Sequence, residues 1–190
     1  MKVECSFLVP VPPAEAWSLL LDVPTLAPCL PGAEITEAID ARRFRGRANV
    51  AIGPIQLAFE GDAEITAIDD TAMTARVIAR GREKKGRGNA TAVVDFSLAS
   101  DPAGSKVTVV TDLSLVGAIA QYGRAAGLIR DIANQLVGQF ARNLEDVIRL
   151  AAGEAGLAVP AAGKPIAGLR LIGGAMTAAL KRKFARREPT

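Results

Sequence analysis

The spacing of apolar residues changes near residue 117, and this change constrains the fold more than any other feature of the sequence. Between residues 33 and 116 apolar and polar side chains alternate. Alternation is typical of strands with one buried and one solvated face. Between residues 117 and 152 there is no proline, and apolar side chains recur every three or four positions, as in a helix. The sequence therefore predicts a sheet whose apolar face is covered by one long helix.

Turn residues divide the alternating region into consecutive strands. Gly, Pro and Asp interrupt the alternation at 53–54, 69–70, 81–88 and 101–104. These residue types favour short connections, so we predict an antiparallel meander. In the strand that includes residues 62–67, the alternation places Ala63, Ile65 and Ala67 on one face. Several glycines weaken the start of the long helix, and its regular part is expected to begin near Ala125.

A separate strand is predicted before the meander. Residues 3–9 have strand character, and Pro10 ends them. Pro13 suits the first turn of a short helix that includes Trp17. A second short helical turn is predicted over residues 24–30, directly before the turn signal Pro31-Gly32.

The apolar face of the predicted sheet has two interpretations. Its larger members are Phe44, Ile55, Leu57, Phe59, Met73, Val77, Val94 and Phe96, and the helix adds Tyr122, Ile129, Ala133 and Leu136. Small residues recur among them, at Gly46, Ala48, Ala63, Ala75, Ala79, Ala90 and Ala92. Alternation shows only which face is buried, so this face is either a solid core or the lining of a ligand pocket. The alternation by itself favours a solid core, but aromatic residues make up 4% of the chain, and an under-filled apolar face is a candidate ligand pocket.

Histidine is absent from the chain, which excludes His-activated nucleophiles, His general bases and His metal ligands. Cys5 and Cys29 are too few for a zinc site, and we expect both to be small buried residues in a reducing compartment. The carboxylates considered for acid–base chemistry are Asp62, Glu64, Asp95 and Asp112. Asp62 and Glu64 fall on the solvated face and have no partner in reach. We therefore predict no catalytic and no metal-binding residues.

The net charge of +3 is unevenly distributed along the chain. Residues 164–190 hold seven Lys or Arg and one acid, whereas the remainder holds 16 basic and 19 acidic residues. Residues 153–163 are mostly Gly, Ala and Pro, which is typical of a flexible linker. We predict a folded domain over 1–152, a linker over 153–163 and a basic tail over 164–190.

The basic tail has the pattern of an amphipathic helix. Its predicted membrane-contacting residues are Ile172, Met176, Leu180, Lys181, Arg182, Lys183, Phe184, Arg186 and Arg187. An apolar stripe combined with basic residues favours binding at the headgroup level of an anionic membrane. The same stripe also fits a helix that packs back on the domain. The apolar run is short and includes Arg170, so we do not expect it to span a bilayer.

The predicted hairpin tip at 80–87 carries five basic residues and one acid, Glu83. A solvated turn and a docking patch for an acidic partner or anionic lipid both fit this pattern. Nucleic acid fits poorly, because the domain is acidic overall and no aromatic residues lie between these charges.

Several longer motifs are spread over residues 1–150. They are Trp17 with Leu20 and Asp22, Cys29-Leu30-Pro31-Gly32, Val50-Ala51-Ile52-Gly53-Pro54-Ile55, Phe59-Glu60-Gly61, Thr111-Asp112 and Val116-Gly117-Ala118-Ile119-Ala120-Gln121-Tyr122-Gly123. Together they resemble the carbon monoxide dehydrogenase G-subunit family, a branch of the START/Bet v1-like helix-grip superfamily. The resemblance implies an α+β helix-grip fold: a strand, two short helices, six strands and a long helix laid across a curved antiparallel sheet. The amphipathic tail helix follows this domain.

The resemblance also implies a function. Members of this family accompany molybdenum-containing hydroxylases such as carbon monoxide dehydrogenase and are associated with holding them at the cytoplasmic membrane. The resemblance thus implies a non-catalytic accessory protein that binds an isoprenoid quinone or other lipid-like ligand in an apolar tunnel, with no covalent cofactor. The expected partners are the hydroxylase and an anionic membrane surface.

The N-terminal residues lack the apolar core of a signal peptide, so we expect a cytoplasmic protein, peripheral on the inner face of the membrane. Two alternatives remain open. One is an assembly factor with a filled core, and the other is a small-molecule-transforming enzyme of the same superfamily.

Overall fold

The computed structural model describes residues 1–52, 55–124 and 126–151. Within these residues seven strands and three α-helices form the domain. The strands are β1 (Lys2–Val9), β2 (Ala33–Ala38), β3 (Arg43–Ile52), β4 (Ile55–Asp69), β5 (Thr74–Glu83), β6 (Gly88–Asp101) and β7 (Gly104–Gly117), and the helices are α1 (Pro13–Leu21), α2 (Val23–Leu26) and α3 (Ala126–Ala151). The predicted linker and tail, with every predicted membrane-contacting residue, lie outside the described residues. The division of the chain into three parts remains a prediction.

The strands form one antiparallel sheet in the order β1-β7-β6-β5-β4-β3-β2. Strands β2 to β7 follow one another as a meander, and β1 joins the sheet beside β7. The predicted α+β helix-grip fold is therefore confirmed, with two short helices after the first strand and a long helix at the end. The glycine-containing stretch before α3 forms a 3-10 helix, Ala118–Arg124, which accounts for the late start of the regular helix.

The long helix α3 packs over β1, which is one edge of the sheet. The Cys5 thiol donates to Asn134 Oδ1 at 3.1 Å, and the Phe7 ring meets Phe140 edge-on at a centroid distance of 5.4 Å. Edge-to-face packing is a favoured arrangement of aromatic rings. These contacts hold α3 on the same face of the sheet as the predicted apolar residues, which we call the inner face.

A β-bulge changes the alternation in β4. The pairing of β4 with β5 shifts between Ile65 and Ala67, so one extra residue enters β4 at this point. The prediction that Ala67 shares the inner face with Ala63 is wrong: Ala67 is exposed, and Ile68 packs into the interior instead. Met73 also departs from the predicted pattern, because it lies in the turn before β5 with a positive φ of 49°.

Three glycines lie side by side across β3, β4 and β5. Gly46 is opposite Gly61, which is opposite Gly81. A β-carbon on Gly61 would lie 1.8 Å from the carbonyl oxygen of Arg80, and one on Gly46 would lie 2.5 Å from that of Glu34. Neighbouring backbones therefore approach too closely here for any side chain, which is where glycine is required in a strand.

Most of the buried apolar residues in the described part of the chain fall into two clusters. The Trp17 cluster is built on Val9, Val11, Ala16, Trp17, Leu19, Leu20, Cys29, Ala75, Leu98, Val107 and Leu144. The Ile119 cluster is built on Val3, Cys5, Ile52, Leu57, Ile119 and Ile129. The Trp17 cluster joins α1 and the C-terminal half of α3 to the sheet, and the Ile119 cluster joins the 3-10 helix and the start of α3 to the sheet. The inner face between them carries the candidate site.

Candidate functional site

Small side chains occupy the inner face between the two clusters. Three rows of directly opposed residues cross the strands, and we call them the central rows: Gly46-Gly61-Gly81-Ala90, Phe44-Ala63-Ala79-Ala92 and Ile65-Val77-Val94-Thr111. Phe44 and Ile65 are buried, whereas the other members are only half-buried. Among the described residues, neither cluster includes any member of these rows. The central rows are therefore an incompletely covered apolar surface.

The central rows are almost entirely apolar. Thr111 carries their one polar side chain, and every other member is apolar. Such a surface binds by removing apolar area from water.

The predicted tunnel residues are divided among three places. Ile55, Leu57, Phe59, Tyr122, Ile129 and Ala133 belong to the Ile119 cluster, and Met73 and Phe96 pack against the Trp17 cluster. Phe44, Val77, Val94 and Leu136 lie outside both clusters as far as the described residues show. Their assignment to a ligand tunnel remains a prediction.

A charged pair at the end of β5 was not predicted from the sequence. Glu83 is 1% exposed and accepts hydrogen bonds from the backbone N–H of Lys85 at 2.9 Å and of Arg87 at 3.2 Å. The Arg87 Nη2 donates to Glu83 Oε1 at 2.9 Å. The carboxylate thus closes the β5–β6 turn from the inside, and charge-assisted hydrogen bonds of this kind are stronger than neutral ones.

Arg87 also joins two hairpins. The same Nη2 donates to the carbonyl oxygen of Gln56, at the start of β4, at 3.0 Å. The Nε atom of Arg87 is buried and has no hydrogen-bond partner among the described residues. The end of the inner face near the Ile119 cluster therefore contains an unpaired donor beside a satisfied ion pair.

Comparison with known proteins identifies the family. The model of the carbon monoxide dehydrogenase G-subunit (CoxG) family matches residues 5–149, well over half of the chain. This chain belongs to the CoxG family. No curated protein matches it closely enough to add a more specific assignment.

Solved structures similar to this CoxG family member show the same fold. A conserved protein from Geobacillus kaustophilus has a TM-score of 0.68 and 18% identity, and the match covers 80% of this chain and 97% of that one. The protein TTHA0849 from Thermus thermophilus has a TM-score of 0.56 and 19% identity, covering 80% and 99%. The Zhui aromatase/cyclase from Streptomyces sp. R1128 has a TM-score of 0.56 and 14% identity, covering 83% and 99%. At these identities the likeness concerns the fold alone.

The motifs that resemble the CoxG family hold structural elements together. Trp17 Nε1 donates to Asp70 Oδ1 at 2.9 Å, which ties α1 to the turn between β4 and β5. Asn143 on α3 donates to the carbonyl oxygen of Cys29 at 3.0 Å. Cys29 is buried, and burial raises the pKa of its thiol to about 11. Both cysteines are free and buried, which confirms the prediction of two small buried residues.

Several ion pairs of this family member lie on the outer face of the sheet. Glu60 accepts from Arg47 at 3.0 Å and pairs with Lys84 at 2.9 Å, and Asp95 accepts from Arg76 at 2.6 Å. These pairs are about half exposed, so each contributes little to stability. An open groove of about 400 Å³ lies beside Arg76 and Asp95. Its lining also includes Ile68, Ala75 and Phe96 from the inner face, but no member of the central rows.

The candidate carboxylates and the basic hairpin tip singled out in the sequence are located as follows. Asp112 pairs with the N-terminal amine at 3.1 Å, and Asp62 is exposed on the outer face. At the hairpin tip, Lys84 and Arg87 are engaged with Glu60 and Glu83. None of the described helices is both long enough and apolar enough to cross a membrane.

Glu83 should make stability depend on pH in the acidic range. The hydrogen bond from the Arg87 side chain, followed by those from the Arg87 and Lys85 backbone, lowers the pKa of Glu83 to about 2 against the effect of burial. Because the folded pKa lies below the ordinary value of 4.5, the stabilisation is complete above that value and is lost as the pH falls towards 2. We expect Glu83→Gln to lower stability at neutral pH and to flatten its decline in this range, measured by urea unfolding. Glu64→Gln, on the outer face, is the control, and parallel curves for Glu83→Gln and wild type would contradict the assignment.

Proposed function

We propose that this protein is a non-catalytic accessory subunit of a carbon monoxide dehydrogenase-like molybdenum hydroxylase. In this proposal it binds a quinone or other lipid-like molecule against the central rows and recruits the enzyme to the inner face of the cytoplasmic membrane. The observation that carries the proposal is the band of half-buried, small apolar residues between two packed clusters. Membership of the CoxG family supports the hydroxylase as partner.

The energetics favour an apolar occupant of the central rows. Covering apolar surface is worth about 25 cal/mol per Å², so a hydrocarbon chain laid along these residues gains affinity in proportion to the area that it buries. The neighbouring ionisable groups do not favour chemistry on that occupant. Glu83 accepts three hydrogen bonds, and its lowered pKa makes it a poor proton acceptor near neutral pH.

Ligand binding is tested by native mass spectrometry of the full-length protein, as purified and after incubation with decylubiquinone. A bound species with the mass of a lipid or of the added quinone is the expected result. A protein that stays unliganded under both conditions would instead support an assembly factor with a filled core.

Membrane recruitment is assigned to the basic tail. Each Lys or Arg near an anionic leaflet contributes about 1 kcal/mol, and the apolar stripe adds insertion at the headgroup level. The tail variant replaces the five clustered basic residues with glutamine: Lys181, Arg182, Lys183, Arg186 and Arg187. We expect it to lose most of its binding to vesicles of phosphatidylcholine and phosphatidylserine, measured by co-sedimentation. The free energy of vesicle binding should become less favourable by about 5 kcal/mol at low salt.

A matched variant tests whether the tail charges matter by position or only by number. It replaces five exposed basic residues of the domain with glutamine: Lys2, Arg42, Lys106, Arg130 and Arg142. The net charge changes equally in both variants, but only the tail variant is expected to leave the vesicles. An equal loss of vesicle binding in both variants, or no loss in the tail variant, would contradict the proposal that the tail recruits the protein to the membrane.

A further inference from the structure

Arg87 holds a buried N–H group without an acceptor. Its Nη2 atom is occupied by Glu83 and by the carbonyl oxygen of Gln56, at 2.9 and 3.0 Å. Its Nε atom is buried and has no hydrogen-bond partner in the described part of the chain. Buried polar groups in folded proteins are nearly always paired, so an unpaired one calls for a ligand, an ion or a water molecule.

Tyr122 brings a second polar group to the same end of the inner face. The backbone N–H of Ile119 donates to the carbonyl oxygen of Arg87 at 3.1 Å. Residues three apart are eclipsed on a 3-10 helix, so Tyr122 lies on the same side of the helix as Ile119. Tyr122 is half-buried and packs against the Ile119 cluster, and its hydroxyl makes no hydrogen bond to another described residue.

The electrostatics agree with this proximity. The pKa of Arg87 is raised, first by its hydrogen bond to Glu83 and against the opposing effect of burial, then by the charge of Glu83, and also by Tyr122 in its ionised phenolate form. Tyr122 therefore lies within electrostatic reach of the guanidinium group.

These groups lie where the central rows end. Glu83 follows Gly81 by two residues on β5, so the two share the inner face, and Glu83 is directly opposite Phe59. The central rows therefore end at the Glu83–Arg87 pair and at the Ile119 cluster, against which Tyr122 packs.

We infer that the Nε–H of Arg87 and the hydroxyl of Tyr122 bind a carbonyl oxygen of an otherwise apolar ligand. This inference rests on the proposed function and narrows its ligand to neutral carbonyl compounds with a hydrocarbon body, such as quinones. A carbonyl oxygen has two lone pairs and accepts from both donors. A carboxylate suits the place less well, because Glu83 already neutralises Arg87 and would repel a second anion.

The test compares two probes that share a six-membered ring and a decyl chain: decylubiquinone, whose ring carries two carbonyl groups together with methoxy and methyl groups, and decylbenzene, which has no oxygen atom. Affinities are measured by titration of the full-length wild type, of Arg87→Lys and of Tyr122→Phe. Arg87→Lys removes the Nε–H and Tyr122→Phe removes the hydroxyl, so each variant lacks one of the two proposed donors to the carbonyl oxygen. Because one hydrogen bond is lost, we expect roughly tenfold weaker binding of decylubiquinone and unchanged binding of decylbenzene. Arg82→Lys, an exposed neighbour on β5, is the matched control and is expected to bind both probes like the wild type.

The outcomes separate this inference from the proposed function. If the wild type binds both probes and the two variants bind decylubiquinone unchanged, the inference is overturned and the apolar ligand site stands, with a water molecule pairing Arg87. Equal weakening towards both probes would mean a structural effect and also overturns the inference. If the wild type binds neither probe, the proposed ligand function itself fails. Tyr122→Phe keeps the test available if Arg87→Lys does not fold, since it leaves the Glu83 pair intact.

Discussion

Replacing Gly61 with alanine is expected to destabilise the domain by about 3 kcal/mol or more. The new β-carbon would lie 1.8 Å from the carbonyl oxygen of Arg80. Relief of this contact requires β4 and β5 to move apart at the point where they pair. Overpacking costs about 1–3 kcal/mol even where flexible side chains can yield, and here the obstacle is backbone. The smaller entropy of the unfolded chain offsets only about 0.4–1 kcal/mol.

The measurement is urea unfolding at neutral pH, with Gly138→Ala as the matched control. Gly138 lies within α3, and its β-carbon would have only the Arg142 side chain nearby, at 3.7 Å. The same substitution there should stabilise the domain by about 0.5–1 kcal/mol, because alanine is the better helix former. Similar midpoints for Gly61→Ala and wild type would mean that the strands are not held this close.

Replacing Ala92 with phenylalanine is expected to abolish binding of decylubiquinone while leaving the domain folded. Ala92 is a half-buried member of the central rows, between Ala79 and Leu113 on neighbouring strands. If the central rows border an unfilled space, the phenyl ring occupies the place of the ligand and adds buried apolar area. We expect at least a tenfold loss of affinity with stability unchanged or increased, measured by titration and thermal unfolding. In a solid core the same ring would cost about 1–3 kcal/mol of stability.

Val93→Phe is the matched control for this substitution. Val93 is adjacent in β6, and its side chain points to the outer face, because successive residues of a strand face opposite ways. The control should bind decylubiquinone like the wild type. A strongly destabilised Ala92→Phe would favour the assembly factor with a filled core, and undiminished binding would place the ligand elsewhere.

Much of this fold was predictable, because alternation and helical spacing are properties of neighbouring residues. The strands, the turns and the late start of α3 all follow from local patterns. The bulge after Ile65 did not, because it depends on how β4 pairs with β5 rather than on the residues of β4 alone. Because of the extra residue, Ile68 rather than Ala67 lies on the inner face. A pattern of period two cannot reveal such a shift, because it assumes an unbroken register.

The candidate site was predictable in its apolar part and not in its polar part. Glu83 continues the inner-face series Ala75, Val77, Ala79 and Gly81, and that position in the series was the available signal. The position does not stand out in the sequence, because the surrounding residues 80–87 have the pattern of a solvated basic turn. Burial of the carboxylate depends on Arg87 and on two backbone N–H groups that only the closed turn brings together.

The sequence by itself determined the meander, the inner and outer faces, the long covering helix and the change from an acidic to a basic composition along the chain. These features depend on which residue types follow one another, so they can be read before any contact is known. The tertiary structure alone decided that the apolar residues form two clusters with small residues between them. It also decided that Arg87 is left with a buried donor. Both depend on which strands approach and on how far α3 reaches from β1 over the sheet, and these are distances between residues far apart in the chain.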